Sequence, residues 1–233
     1  MSNTALILLT SHGVLGQTGK PTGFHWVEMA TPYFALRDAG FEITFASPVG
    51  GRPPSDPGSA DPETREADVN RFIADAAAMD ALERTIPLRD LNGANFDVIY
   101  IPGGHGTMWD LAQTGEVAAR IAEGWEAGAV VGSVCHGPAA LTECYLSDGT
   151  PLVAGRKVCA FTDAEERAVE LDNVVPFLLE TRLRALGAQF ECNGEVFGPH
   201  VAKDGRLITG QNPASVPTLA RALADAARMS RAA

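Results

Sequence analysis

The 233-residue sequence holds only four cysteines, Cys135, Cys144, Cys159 and Cys192, with no CxxC pair among them. Neither a zinc site nor a disulfide framework is indicated, and four reduced thiols in the cytoplasm are the expectation. No apolar run approaches the ~20 residues that a membrane helix needs. The segment behind Met1-Ser2-Asn3-Thr4 lacks the basic lead and long apolar stretch of a secretory signal. Basic residues are scarce: 18 Lys and Arg against 29 Asp and Glu give a formal charge of −11. Such a surface repels phosphates and anionic lipid, so neither nucleic acid nor membrane is an expected partner. A GxGxxG fingerprint is also missing, which removes the usual nicotinamide site. No cofactor and no metal are expected.

What is present reads as a folded α/β chain. The hydrophobic fraction is 45% and the charged fraction 20%, ordinary values for a globular protein. The length suits one core, so a single domain over 1–233 is expected. Residues 5–9 form a continuous apolar run, as a buried parallel strand does. Helical spacing follows over 26–39 and stops at Gly40; a second strand spans 41–46. A loop rich in Pro, Gly, Ser and Asp opens an insertion at about 48–90, with acidic helices over 66–84. Further strands are expected at 96–101, 129–134 and 157–161, and short ones within 189–209. Helices are expected at 115–127, 137–145, 175–186 and 214–229. Alternation of this kind gives a mostly parallel sheet covered on both faces, with sites at the carboxyl ends of strands. That rule selects Ser11 onward, Gly103-Gly104-His105 and Cys135-His136.

The segment Gly132-Ser133-Val134-Cys135-His136-Gly137-Pro138 is the most informative. A sharp strand-to-helix turn needs small residues two before and two after its apex, and Ser133 and Gly137 supply them. This is the steric pattern of a nucleophile elbow with Cys in place of Ser. A helix starting there would favour the thiolate through its N-terminal amides. An inert core cysteine is the plain alternative, but His136 and the neighbouring Pro102-Gly103-Gly104-His105-Gly106 loop favour the reactive reading. Those glycines allow backbone N–H groups to approach an oxyanion, and the His136 N–H can add to them. His136, His12 and His105 are candidate bases. Asp163, Glu165 and Glu166 are candidate acids, among which the residues alone do not choose, and a solvated helix start is their plain alternative. Glu28 stands in the apolar stretch 24–30, where a carboxyl acquires a raised pKa. A first-turn glutamate answering the helix dipole is the competing account.

Together these residues resemble the ThiJ/PfpI superfamily, most of all its heat-shock chaperone branch, which includes glutathione-independent glyoxalase III enzymes. The resemblance runs nearly end to end. It rests on 96–106, Val134-Cys135-His136-Gly137-Pro138, Phe161-Thr162-Asp163 with Glu166, and 209–215. It implies a flavodoxin-like three-layer α/β/α sandwich and a homodimer. It implies Cys135 as nucleophile, His136 as its partner, Glu166 as the acid and Glu28 as a buried glutamate beside the thiol. Gly103 and Gly104, with the His136 N–H, would then bind the oxyanion, and His105 would line the pocket under a lid at 13–23. The implied activity is a cofactor-free, lyase-class conversion of methylglyoxal, a small reactive aldehyde, to lactate. A stress-related holdase, a protein deglycase, a cysteine peptidase and a thiol redox sensor are the competing readings.

Overall fold

Along a strand, successive side chains point to opposite faces. In β1 (Asn3–Leu8), Ala5 and Ile7 enter one buried cluster, while Leu6 and Leu8 enter the other. The same division recurs further along the chain: Val98 and Tyr100 face one way, Ile99 and Ile101 the other. Strands covered on both faces must be apolar at each position, which is why they read as unbroken runs.

The computed structural model describes residues 3–91 and 94–230. Residues 1–2, 92–93 and 231–233, which the single-domain expectation includes, lie outside the described residues. The remaining strands are β2 (Phe41–Ser47), β3 (Ile86–Pro87), β4 (Val98–Ile101), β5 (Val130–Val134), β6 (Lys157–Val158), β7 (Gln189–Phe190), β8 (Val201–Asp204) and β9 (Leu207–Gly210). Seven of them form a sheet in the order β3-β2-β1-β4-β5-β9-β8, parallel except for the β8–β9 pair. The short β6 and β7 pair separately, in parallel.

The helices are α1 (Trp26–Asp38), α2 (Ala67–Ala74), α3 (Ala76–Glu83), α4 (Gly115–Glu126), α5 (Asp163–Ala168), α6 (Leu179–Ala185) and α7 (Val216–Ser230). Residues of α1, α2, α3 and α7 share one core cluster, and residues of α4 and α6 share the cluster on the opposite face. The result is a flavodoxin-like α/β/α sandwich. From β1 the chain passes through α1 to β2; from β4 it passes through α4 to β5 on the other side. The strand order therefore reverses between β1 and β4, where a crevice opens at the strand carboxyl ends.

Three expected elements are shorter. The helix expected at 137–145 is a 3-10 turn, Gly137–Leu141, closed by i→i+3 bonds such as Ala139 N–H to His136 O at 3.0 Å. The strand expected at 157–161 keeps two residues, because Cys159 N–H turns to the Thr209 hydroxyl instead of a neighbouring strand. The helix expected from 175 begins at Leu179, since Pro176 disfavours helical geometry in the residue before it.

Candidate active site

Cys135 follows β5 with φ +58°, in the left-handed region that side chains avoid at ~1–3 kcal/mol. Its backbone is held from both sides: its N–H donates to Gly210 O and its carbonyl accepts from Phe161 N–H, each at 2.9 Å. A Cβ at residue 137 would collide with the Ile101 carbonyl and the Ser133 hydroxyl, so the tight turn requires glycine there. The sulfur side chain is buried, with 5% of the residue exposed.

The surroundings correct one expectation. No α-helix begins behind Cys135, so the macrodipole invoked for thiolate formation is absent and a five-residue 3-10 turn stands in its place. Burial, together with the neighbouring Glu28 carboxyl, pushes the thiol well above its ordinary value. The backbone N–H groups of His136 and Gly104 act in the opposite sense on the same sulfur. The thiol is therefore protonated at rest and needs a base.

His136 Nδ1 lies 3.3 Å from Cys135 Sγ, and Nε2 lies 2.7 Å from Glu166 Oε2. A carboxylate only accepts, so Nε2 carries the hydrogen and Nδ1 of the neutral ring is bare toward the sulfur. Burial lowers the His136 pKa and the nearby His105 lowers it further, against the pull of Glu166. Burial also works to raise Glu166, but the imidazoles of His136 and His105 outweigh it and hold the carboxyl far below the usual range. Glu166 is thus ionised at neutral pH.

Its neighbours do other work. Glu165 is buried and accepts from Thr162 N–H, Thr162 Oγ1, Phe197 N–H, Gln211 Nε2 and Asn212 Nδ2. Asp163 accepts from the Thr181 hydroxyl at 2.5 Å, away from the imidazole. His12 stacks on Trp109, with centroids 5.1 Å apart, and its Nε2 meets Val14 O. His105 is turned to Glu166 Oε1, with Nε2 at 2.9 Å, and its ring lies 4.0 Å from that of His136. The ligand-type atoms of His105, His136 and Glu166 fall within 4.8 Å of one another, yet N–H···O bonds already join them.

Glu28 reaches the site through two tertiary contacts. Trp26 N–H, at the start of α1, donates to Ser59 Oγ of the insertion at 3.1 Å, capping a helix whose own N-cap side chain makes no bond. Pro32 lacks the N–H that would meet the Glu28 carbonyl four residues back. The Tyr100 hydroxyl donates to that carbonyl at 2.6 Å instead. The side chain is fully buried; Oε2 accepts Gly103 N–H at 2.8 Å, and Oε1 has no partner of hydrogen-bonding geometry. Burial pushes the carboxyl up to about 8, against the pull of the Cys135 thiol and the Gly103 amide. At neutral pH it is mostly a neutral acid beside the thiol.

The glycine loop closes the other wall. A Cβ on Gly103 would fall 2.6 Å from Val134 O, 2.7 Å from Glu28 Oε2 and 2.7 Å from His136 N, so no side chain fits. Its N–H is engaged by Glu28 and its carbonyl by His25 N–H, leaving Gly104 as the loop amide that faces the sulfur. Gly104 itself stands at φ +99°. The Thr107 hydroxyl, 2.9 Å from Gly104 O and 3.0 Å from His136 O, ties this loop to the elbow. Phe161 lies against the His136 ring at 4.5 Å. Sequence reasoning had not singled out Tyr100, Thr107, Ser59 or Phe161 for the site. A proline four residues after Glu28 was the one available signal for Tyr100.

A parallel sheet of this order, ending in a thiol on a strained elbow beside a glycine loop, marks a class of α/β proteins with a strand-end cysteine. Within that class the chain belongs to the DJ-1/PfpI family, which it matches over residues 20–226. It is 28% identical over 239 residues to the glutathione-independent glyoxalase HSP31 of Saccharomyces cerevisiae, covering 95% of this chain and 96% of that one. Among solved structures, Rapid Encystment Protein 24 kDa of Francisella tularensis superposes with a TM-score of 0.91 at 32% identity, covering 97% and 99%. The glyoxalase III of Candida albicans superposes with a TM-score of 0.87 at 27% identity, covering 96% and 97%.

Proposed function

We propose that this chain is a glutathione-independent glyoxalase of the lyase class that converts methylglyoxal to lactate in the cytoplasm, with Cys135 as nucleophile. One observation carries the reading: a single buried thiol meets two proton-moving groups, the bare Nδ1 of His136 at 3.3 Å and the Glu28 carboxyl with its pKa near 8. Its likeness to glyoxalases over nearly the whole chain supports the same reaction.

His136 takes the thiol proton as sulfur adds to the aldehyde carbon, forming the C–S bond of a hemithioacetal. Glu166, ionised, stabilises the imidazolium. The oxyanion faces the Gly104 and His136 amides and is then protonated by the imidazolium. Removal of the proton on carbon one gives an enediolate; its return to carbon two, with the hydroxyl proton passing from the first oxygen to the second, gives a lactoyl thioester. Glu28 suits both steps, since with its pKa near the working pH a fraction is ionised to take the proton and the acid so formed returns it. Water then cleaves the thioester, releasing lactate and restoring the thiol, so that one methylglyoxal and one water yield one lactic acid. No electron carrier enters the balance.

The test is lactate formation from methylglyoxal by purified protein without glutathione, beside Cys135→Ala. Wild-type turnover with none from the variant supports the proposal; equal turnover by both, or none by wild type, refutes it.

A further inference from the structure

The mechanism above gives His105 no task, yet the residue is built into the site. It follows Gly104 on the glycine loop, its side chain is 18% exposed, and Nε2 donates to Glu166 Oε1 at 2.9 Å. The other carboxylate oxygen serves His136 at 2.7 Å. One carboxylate therefore holds two imidazoles, whose rings lie 4.0 Å apart and tilted by 39°. We infer that His105 is a positioning residue for the proposed reaction: its Nε2–H pins Glu166 so that Oε2 stays on His136, and its ring against His136 sets how readily that imidazole takes the thiol proton.

The terminal torsion of a glutamate is soft, so a carboxylate held through one oxygen can swing. His136 alone fixes only Oε2. The second bond, from a different loop, fixes the plane of the group. It also links the two walls of the site, because the same loop brings the Gly104 amide to the sulfur and His105 to the acid. Charge balance sets the rest. Glu166 supplies the one negative charge that the two imidazoles share. The groups facing this pair are Glu166 and Glu165 from α5 and His25 from the segment before α1. Cys135 lies on the far side of His136, with Glu28 beyond it. Burial lowers His25 to about 4, so it adds no charge at neutral pH. His105 acts to lower the His136 pKa, and its removal is expected to raise it.

Two substitutions separate the parts of this inference, which rests on the glyoxalase reading for its reaction. His105→Gln keeps an N–H donor but cannot titrate; His105→Leu keeps neither. The first readout is kcat and KM for lactate formation. The second is the pH dependence of Cys135 alkylation by iodoacetamide, which needs no turnover. His105→Leu should lose ~10-fold or more in kcat, short of the ~100-fold cost of a 1 Å misplacement, with KM changed by less than about twofold. His105→Gln should keep kcat within about threefold of wild type. In both variants the acid-side midpoint of alkylation should rise. A Leu variant with wild-type kcat and midpoint overturns the inference. So does a Gln variant as slow as Leu, which would make the imidazole a proton carrier. Should His105→Leu not fold, His105→Gln decides alone: a raised midpoint with kcat retained supports the role, and an unmoved midpoint refutes it. If wild type makes no lactate but the midpoint still rises, the positioning of His136 stands and the glyoxalase reading falls.

Discussion

Replacing Glu28 with Gln should convert a pH-sensitive fold into an insensitive one between about pH 6.5 and 8.5. Burial raises the folded-state pKa of Glu28 from 4.5 to about 8. Up to about pH 8 the unfolded chain is ionised at this position while the folded chain mostly holds the proton, so folding takes up a proton and stability falls as pH rises. The slope is ~1.4 kcal/mol per pH unit until the folded-state pKa is passed, giving a loss of ~2 kcal/mol between pH 6.5 and 8. For a chain of this length that is a fall of ~4–8 °C in Tm. The other shifted groups at the site act outside the window. His25, lowered to about 4, and His136, also lowered, weaken the fold only as pH drops below the ordinary histidine value. Glu166, held low, loses its contribution in more acidic solution still, and the raised Cys135 matters only above its ordinary value of 9.0. Thermal melts of wild type and Glu28→Gln across the window give the answer. Wild type should lose Tm steadily and Glu28→Gln should stay flat; parallel curves would refute a buried neutral carboxyl.

Other consequences follow from the same contacts. Glu166→Gln should lower kcat about a hundredfold or more and also lower Tm, since one amide oxygen cannot accept from both His136 and His105. Glu165→Ala should cost ~3–5 kcal/mol in denaturant titration, because it strands the buried donors of Gln211 and Asn212. Gly103→Ala places a methyl 2.6–2.7 Å from Val134 O, Glu28 Oε2 and His136 N, and should cost ~1–3 kcal/mol and most of the activity; unaltered melting would contradict the packing described. Ser59→Ala removes the cap on α1 and should lower stability by ~1 kcal/mol, or ~2–4 °C in a thermal melt.

The apolar runs at 5–9 and 98–101 carried the parallel sheet because strands buried on both faces have no polar positions to blur them. The elbow was legible for a similarly local reason: the turn at Cys135 admits only small flanking residues, and Ser133 and Gly137 are small. The choice of acid was not legible from charge alone, since Asp163, Glu165 and Glu166 look alike. A finer local signal existed, however. Thr162-x-x-Glu165 is a capping box, which commits Glu165 to its own helix start and leaves Glu166 free to reach His136. The length of the turn after Cys135 and the state of its thiol depended on burial and on Glu28, 107 positions earlier in the chain, where no sequence window reaches. The same holds for His105 turning to Glu166 rather than outward.

The central claim is that methylglyoxal becomes lactate while bound to Cys135. Rapid acid quench during turnover, followed by mass analysis of the Cys135 peptide, tests it most directly. A lactoyl thioester has the mass of the peptide plus one methylglyoxal and survives the quench, whereas a hemithioacetal reverts. The account predicts that adduct on Cys135 while substrate lasts, gone once it is consumed, and both adduct and lactate absent in Cys135→Ala. Lactate formed without any such adduct, or still formed by Cys135→Ala, would contradict it.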